Sequence, residues 1–165
     1  MKIAVIVFLS LGVCTLGTPG PTDEFIIPDA ISSCVKASGK LVEIRNDINP
    51  FYLRGDFLAS GKPAIAVAIR RNDPIDVGVL LCPATGKPIM FMPGQKGEFV
   101  SRDVTDPNFV APHWEVYTNE QARDILQQNH RPAVIKGEAI AMMWEDGIGL
   151  LFYDGHHFRW VGAMQ

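Results

Sequence analysis

The sequence predicts an α+β domain: an antiparallel β-sheet of about six to eight strands, built from meander hairpins, with an N-terminal helix packed on one face. Three observations predict it. Short apolar runs recur along the chain between turn-forming residues. Near the N-terminus, apolar residues recur instead at helical spacing. Toward the C-terminus, Asp146-Gly147 and Asp154-Gly155 separate three such runs, and Asp-Gly is a strong hairpin signal because both central turn positions take positive φ.

At 165 residues, one domain is the default, large enough to bury a substantial core. Met1 to Gly17 reads as an export signal, with Lys2 as its positive start and Ile3 to Val13 as an apolar run too short to span a bilayer as a helix. Small residues at Thr15 and Gly17 place the cleavage after Gly17; lipidation of Cys14 is the alternative, and Val13 before the cysteine suits it poorly. Residues 18–25 then form a linker, opened by Thr18-Pro19-Gly20-Pro21, and residues 26–165 form the domain.

The helix is predicted over Pro28 to Ser38. Pro28 suits a first helical turn, Asp29 complements the helix dipole, and Gly39 can close it. Ile27, Ile31, Cys34, Val35 and Ser38 make the stripe that should lie on the sheet. Leu41 to Ile44 reads as a short strand, and residues 45–50 as a connection. Phe51 to Arg71 is the stretch around which the rest is organised: an entering strand, a polar turn at Ala59 to Pro63, and a second strand. In that second strand Ala64, Ala66 and Ala68 share one face while Ile65, Val67 and Ile69 share the other. A run apolar on both sides is covered on both faces, and the alanine face admits close approach of a helix or a second backbone.

Asn72-Asp73-Pro74 is a turn, Val77 to Cys82 a strand, Pro83 to Pro88 a turn and Ile89 to Met92 a strand. Gln95 to Pro112 is polar and reads as a long loop, of the kind that is either functional or simply mobile. His113 to Tyr117 alternates as a strand. Thr118 with Gln121 three residues later is a capping-box pattern that opens a helix to about Gln128. Ala139 to Trp144, Gly149 to Tyr153 and His157 to Val161 complete the sheet.

Gly55-Asp56-Phe57-Leu58-Ala59-Ser60-Gly61-Lys62-Pro63-Ala64 and the strand after it resemble a single FG-GAP/VCBS-type loop, whose pattern is Gly-Asp-Phe, an acidic turn with glycine, then an apolar strand. The resemblance runs from Gly55 to Ala68 and implies strand–turn–strand geometry, with Asp56 at the first ligand position and Gly61 as the turn glycine. In that family the acidic loop residues often hold calcium. Here Leu58, Ser60 and Ala64 occupy the other ligand positions, and one carboxylate with one hydroxyl does not supply the six to eight oxygens that calcium takes. The chain is also similar, through Phe152-Tyr153-Asp154-Gly155-His156-His157-Phe158-Arg159-Trp160, to small secreted bacterial proteins of an uncharacterised family, which implies no activity.

Composition narrows the function classes. The net charge of −3 leaves no basic surplus for nucleic acid and no Lys/Arg run for an anionic membrane surface. After leader cleavage no segment is expected to insert in a membrane. Cys34 and Cys82 then remain, an even pair that reads either as a disulfide tying helix to sheet or as two buried thiols; the sequence leaves both open.

Sharp chemical motifs fare poorly. Arg54-Gly55-Asp56 spells an adhesion tripeptide, but at the entry of a strand pair rather than at a loop apex. His156 and His157 are strand neighbours that point apart and lack the convergent partners of a zinc site. Ser32, Ser33, Ser60 and Ser101 stand in no nucleophile elbow, and Ala84-Thr85-Gly86-Lys87 lacks the rest of a phosphate loop. No catalytic residue, metal ligand or cofactor is expected. Asp56, Trp144, Tyr153, Phe158 and Trp160 are the candidate binding residues, the aromatics because such side chains are enriched at interfaces. The expectation is a periplasmic or secreted, non-enzymatic binding module of a bacterial cell envelope, with an unidentified envelope protein or component as partner. The alternatives are a small periplasmic hydrolase assembled from scattered groups such as Asp56, His113 and Glu115, and a calcium-stabilised structural domain.

Overall fold

The computed structural model describes residues 27–71, 77–92, 113–145 and 147–164. The expected leader and linker, the turn at residues 72–74, the loop at residues 95–112 and Asp146 lie outside them. Along the chain come α1 (Asp29–Ala37), β1 (Glu43–Ile44), β2 (Tyr52–Gly55), β3 (Ala64–Arg70), β4 (Val77–Cys82), β5 (Ile89–Phe91), β6 (His113–Tyr117), α2 (Asn119–Gln128), β7 (Lys136–Trp144), β8 (Gly147–Tyr153) and β9 (Phe158–Met164).

The protein is α+β and mostly strand, but its strands do not form the single sheet that the sequence suggests. Among the described residues there are nine strands in two antiparallel sheets. The first is β1-β3-β4-β5 with β2 also on β3, and the second is β6-β7-β8-β9. The misreading has a physical cause. A strand that is apolar on both faces looks the same in sequence whether its second cover is a helix or another sheet.

Here both covers are present, in four layers. The alanine face of β3 turns toward the second sheet: Ala64, Ala66 and Ala68, with Leu53, Val79, Leu81 and Phe91, pack on Trp114, Ile140, Met142, Leu151, Phe158 and Trp160. Small side chains on one sheet thus make room for indole and phenyl rings from the other. On the opposite face, Val67, Ile69 and Leu80 are sealed by Ile31, Cys34 and Val35 of α1. The outer face of the second sheet, Ala139, Ala141, Ile148, Leu150 and Phe152, is covered by Ala122, Ile125 and Leu126 of α2. Thr118 caps α2 as its spacing predicts, accepting from the Gln121 N–H while the Gln121 carboxamide oxygen accepts from the Thr118 N–H.

The edge of the first sheet carries a detour. The Arg45 N–H donates to the Ala68 carbonyl at 2.9 Å, and the Ala68 N–H donates to the Phe51 carbonyl at 3.1 Å. One residue of β3 therefore pairs with both ends of an excursion, residues 46–50, so β1 and β2 read as one edge strand interrupted by a loop. Arg45 holds Asp47 through two side-chain hydrogen bonds of 3.1 and 2.8 Å, and that pairing depresses the Asp47 carboxyl. The excursion then turns inward. Ile48 is buried between the sheets, and the Pro50 carbonyl accepts a 2.6 Å hydrogen bond from Trp114 Nε1 of β6. A cis peptide joins Asn49 to Pro50.

Candidate functional site

A cleft of about 520 Å³ opens to solvent between α1 and one end of the first sheet. Its floor follows from strand register. Arg54, Ile65 and Cys82 are cross-strand neighbours on β2, β3 and β4, so their side chains share the face that α1 covers. Above them, Ala30, Ser33, Cys34 and Ala37 stand at helical spacing on one side of α1. The large residues Ile31 and Val35 of the same helix pack over Val67, Ile69 and Leu80 instead. Small residues at this end leave a gap where larger ones would close it. Pro63, Pro83, Ala84, Gly86 and Pro88, from the β2–β3 and β4–β5 turns, form the outer wall.

The inner wall is covalent. Cys34 and Cys82, 48 positions apart in sequence, form a disulfide with Cα atoms 5.9 Å apart, a distance within the ordinary range for such bonds. Polar groups are few. Ser33 supplies a hydroxyl, and Arg54 is the one charged side chain among the lining residues. Arg45, Arg70 and Arg159 each hold a carboxylate, whereas Arg54 takes part in no ion pair among the described residues.

Asp56, singled out on the β2–β3 loop, has its carboxylate turned back on the chain. Oδ1 accepts from the Ser60 N–H and Oδ2 from the Gly61 N–H, both at 2.8 Å, with the Ser60 hydroxyl at 3.3 Å from Oδ1. This is the ring of acceptor bonds that Asp makes in turns, and Gly61 takes the positive φ of 71° that the turn requires. The loop docks on the start of β7. The Asp56 N–H donates to the Glu138 carboxylate at 2.6 Å, and the Asp56 carbonyl accepts from the Glu138 N–H at 3.1 Å. Gly137, at φ 69°, allows that approach, because a Cβ there would overlap the Asp56 carbonyl oxygen. With both oxygens so used, the Arg54-Gly55-Asp56 tripeptide offers no free carboxylate.

The aromatic candidates are brought together, but mostly inward, and this corrects their reading as a partner-binding face. Phe158 and Trp160 are 7% and 8% exposed and belong to the core between the sheets. Phe158 packs on Phe91 and Tyr153 with ring centroids 4.9 and 5.3 Å apart, and Trp160 meets Trp144 edge-on at 5.9 Å. Gly149 leaves the space that the Trp160 ring occupies. Trp144 and Tyr153 are half-buried, and the Tyr153 hydroxyl donates to the Gly155 carbonyl at 2.9 Å. Alternation predicts which residues share a face; it does not say whether that face meets solvent or another sheet.

The scattered hydrolase groups are not assembled. His113 and Glu115 lie on β6 opposite Met143 and Ala141, on the face away from Trp114 and Val116, while Asp56 sits at the other end of β7 beside Glu138. Burial, and then the Glu115 carboxylate, raise the Tyr117 phenol, so the local partner of Glu115 is a tyrosine of its own strand. His156 and His157 are exposed, and among the described residues no three His, Cys, Asp or Glu side chains converge as a metal site requires. At the same hairpin Asp154 accepts from the His156 and His157 N–H groups at 2.8 Å and pairs with Arg159. Among the described residues, no helix is long and apolar enough to cross a membrane.

The sequence carries little trace of the cleft. Its signal is faint: small residues at positions 30, 33 and 37 on one helix side, and three prolines in two turns that only the register brings together. Comparison with family models, with curated proteins and with solved structures returns no match.

Proposed function

We propose that the chain is an exported, non-enzymatic binding module of a bacterial cell envelope, periplasmic or secreted, which engages an envelope protein or component through the α1 cleft. The observation that carries this reading is the Cys34–Cys82 disulfide, placed in the cleft wall. Disulfides persist in oxidising compartments and are rare where thiols are kept reduced. Its position lends the reading a second support, since it fastens the helix side of the cleft to the sheet side and so pre-organises the opening. Preorganisation of that kind lowers the ordering cost of binding.

Two measurements on protein from the producing cell test this. Intact mass should correspond to a chain that begins near Thr18, carries no lipid and is lighter by two hydrogens than the dithiol form. Pull-down from envelope extract should retain a partner that Ala37→Trp, which fills the cleft, does not retain. A full-length chain with free thiols at Cys34 and Cys82 overturns the compartment, and equal capture by both proteins overturns the site.

A further inference from the structure

We propose that the α1 cleft binds a small aliphatic monocarboxylate, with Arg54 as its anion anchor, Ser33 as a secondary donor and the proline-rich wall as the seat of its apolar body. The inference rests on the cleft reading above and adds a ligand class to it. About 520 Å³ lies within the range of small-molecule sites, which are mainly apolar with a few placed polar groups. The lining follows that pattern: Ala30, Ala37, Ile65, Pro63, Pro83 and Pro88 against one arginine and one hydroxyl.

Charge selects the head group. Arg54 is exposed and without an ion pair among the described residues, and no acidic side chain lines the cleft with it. A guanidinium fork matches a carboxylate through two parallel N–H···O bonds. A single cation balances a monoanion, whereas a phosphate dianion would remain half-neutralised. The wall selects the body. Pro63, Pro83 and Pro88 have no backbone N–H to offer, so an extended peptide laid against them would find no donors there for its carbonyls. A hydrocarbon chain asks for none.

The test is calorimetric titration of the oxidised, full-length mature protein with octanoate and, separately, with 1-octanol. Octanoate should bind saturably at one site, at least tenfold more weakly in Arg54→Gln, and 1-octanol should not distinguish Arg54→Gln from the wild type. Because Arg54 is exposed, the variant should keep the wild-type melting temperature. Ala37→Trp should abolish octanoate binding, and its fold is checked by circular dichroism. No saturable octanoate binding, equal affinity in Arg54→Gln, or binding that survives Ala37→Trp overturns the proposal. Failure here together with loss of the extract partner in Ala37→Trp would reject the ligand class and leave the binding-module reading standing.

Discussion

Glu138 of β7 accepts a 2.6 Å hydrogen bond from the backbone N–H of Asp56, 82 residues earlier in the chain. The bond joins the β2–β3 loop of one sheet to the first strand residues after α2 in the other. A part-buried carboxylate that serves a backbone donor is hard to replace, because its loss leaves a half-buried N–H without its protein partner. Glu138→Ala should therefore lower unfolding stability by about 1–3 kcal/mol in urea titrations. Glu138→Gln, which keeps an acceptor oxygen, should lose clearly less. Equal losses would mean that charge, not the acceptor, holds the loop.

Asp56 acts inside the same loop, and a different substitution isolates it. Asp56→Ala removes the acceptors of the Ser60 and Gly61 N–H groups and should cost on the order of 1 kcal/mol. The cost should be the same with and without calcium, and calcium should leave the wild-type melting temperature unchanged, since a ligand stabilises only through its own binding. A calcium-dependent rise of several degrees that Asp56→Ala abolishes would show that the loop holds the ion.

The Trp160 ring sits where a side chain on Gly149 would be. Gly149→Ala should cost about 1–3 kcal/mol by overpacking. Trp160→Phe in the same background should recover part of that loss, because the smaller ring vacates the contested space. Additive losses in the double variant would place the strain elsewhere.

Reduction of the Cys34–Cys82 disulfide frees α1 from β4. The closed loop is long, 48 residues in sequence separation, and its removal should cost roughly 2–4 kcal/mol. Cys34→Ala with Cys82→Ala should reproduce the reduced protein's midpoint in urea. A midpoint unchanged by reductant would show that Ile31 and Val35 hold the helix alone.

Acid should act through Asp154. The His157 backbone N–H first, then the Arg159 side chain, hold its carboxyl far below its ordinary value of 3.8, against an opposing effect of burial. A carboxyl depressed by folding contributes stability that is present above the unfolded value and is lost as pH falls from there through the folded value. Below pH 3.8 the wild type should lose stability more steeply than Asp154→Asn. Parallel curves would remove Asp154 from the acid transition.

Local chemistry was legible in the sequence where one or two residues decide it. Thr118 and Gln121 write their capping box in plain spacing, and Ala64 to Ile69 announce a strand covered on both sides. The sequence places the start of β7 at Ala139, three residues late, because Lys136-Gly137-Glu138 carries no apolar alternation; its register shifts there, and it is held by the Asp56 loop rather than by a hydrophobic face. The count of sheets was not legible, since nothing in β3 says whether its alanines meet a helix or a sheet. For the same reason the pattern at Phe158 and Trp160 fits a core and a partner-binding face alike, and the structure places both in the core. The cleft depends on cross-strand register at Arg54, Ile65 and Cys82, which no local pattern encodes.

The detour at residues 46–50 makes the two sheets a single cooperative unit. Ala68 pins both feet of that loop to the first sheet, while Ile48 and the Pro50 carbonyl bind its tip to the core and to Trp114 of the second. An edge strand thereby does what a crossover connection does in other folds: neither sheet can melt without unmaking the other's border. Fluorescence from the tryptophans, all in the second sheet, and backbone signals from both sheets should then report one shared transition rather than two.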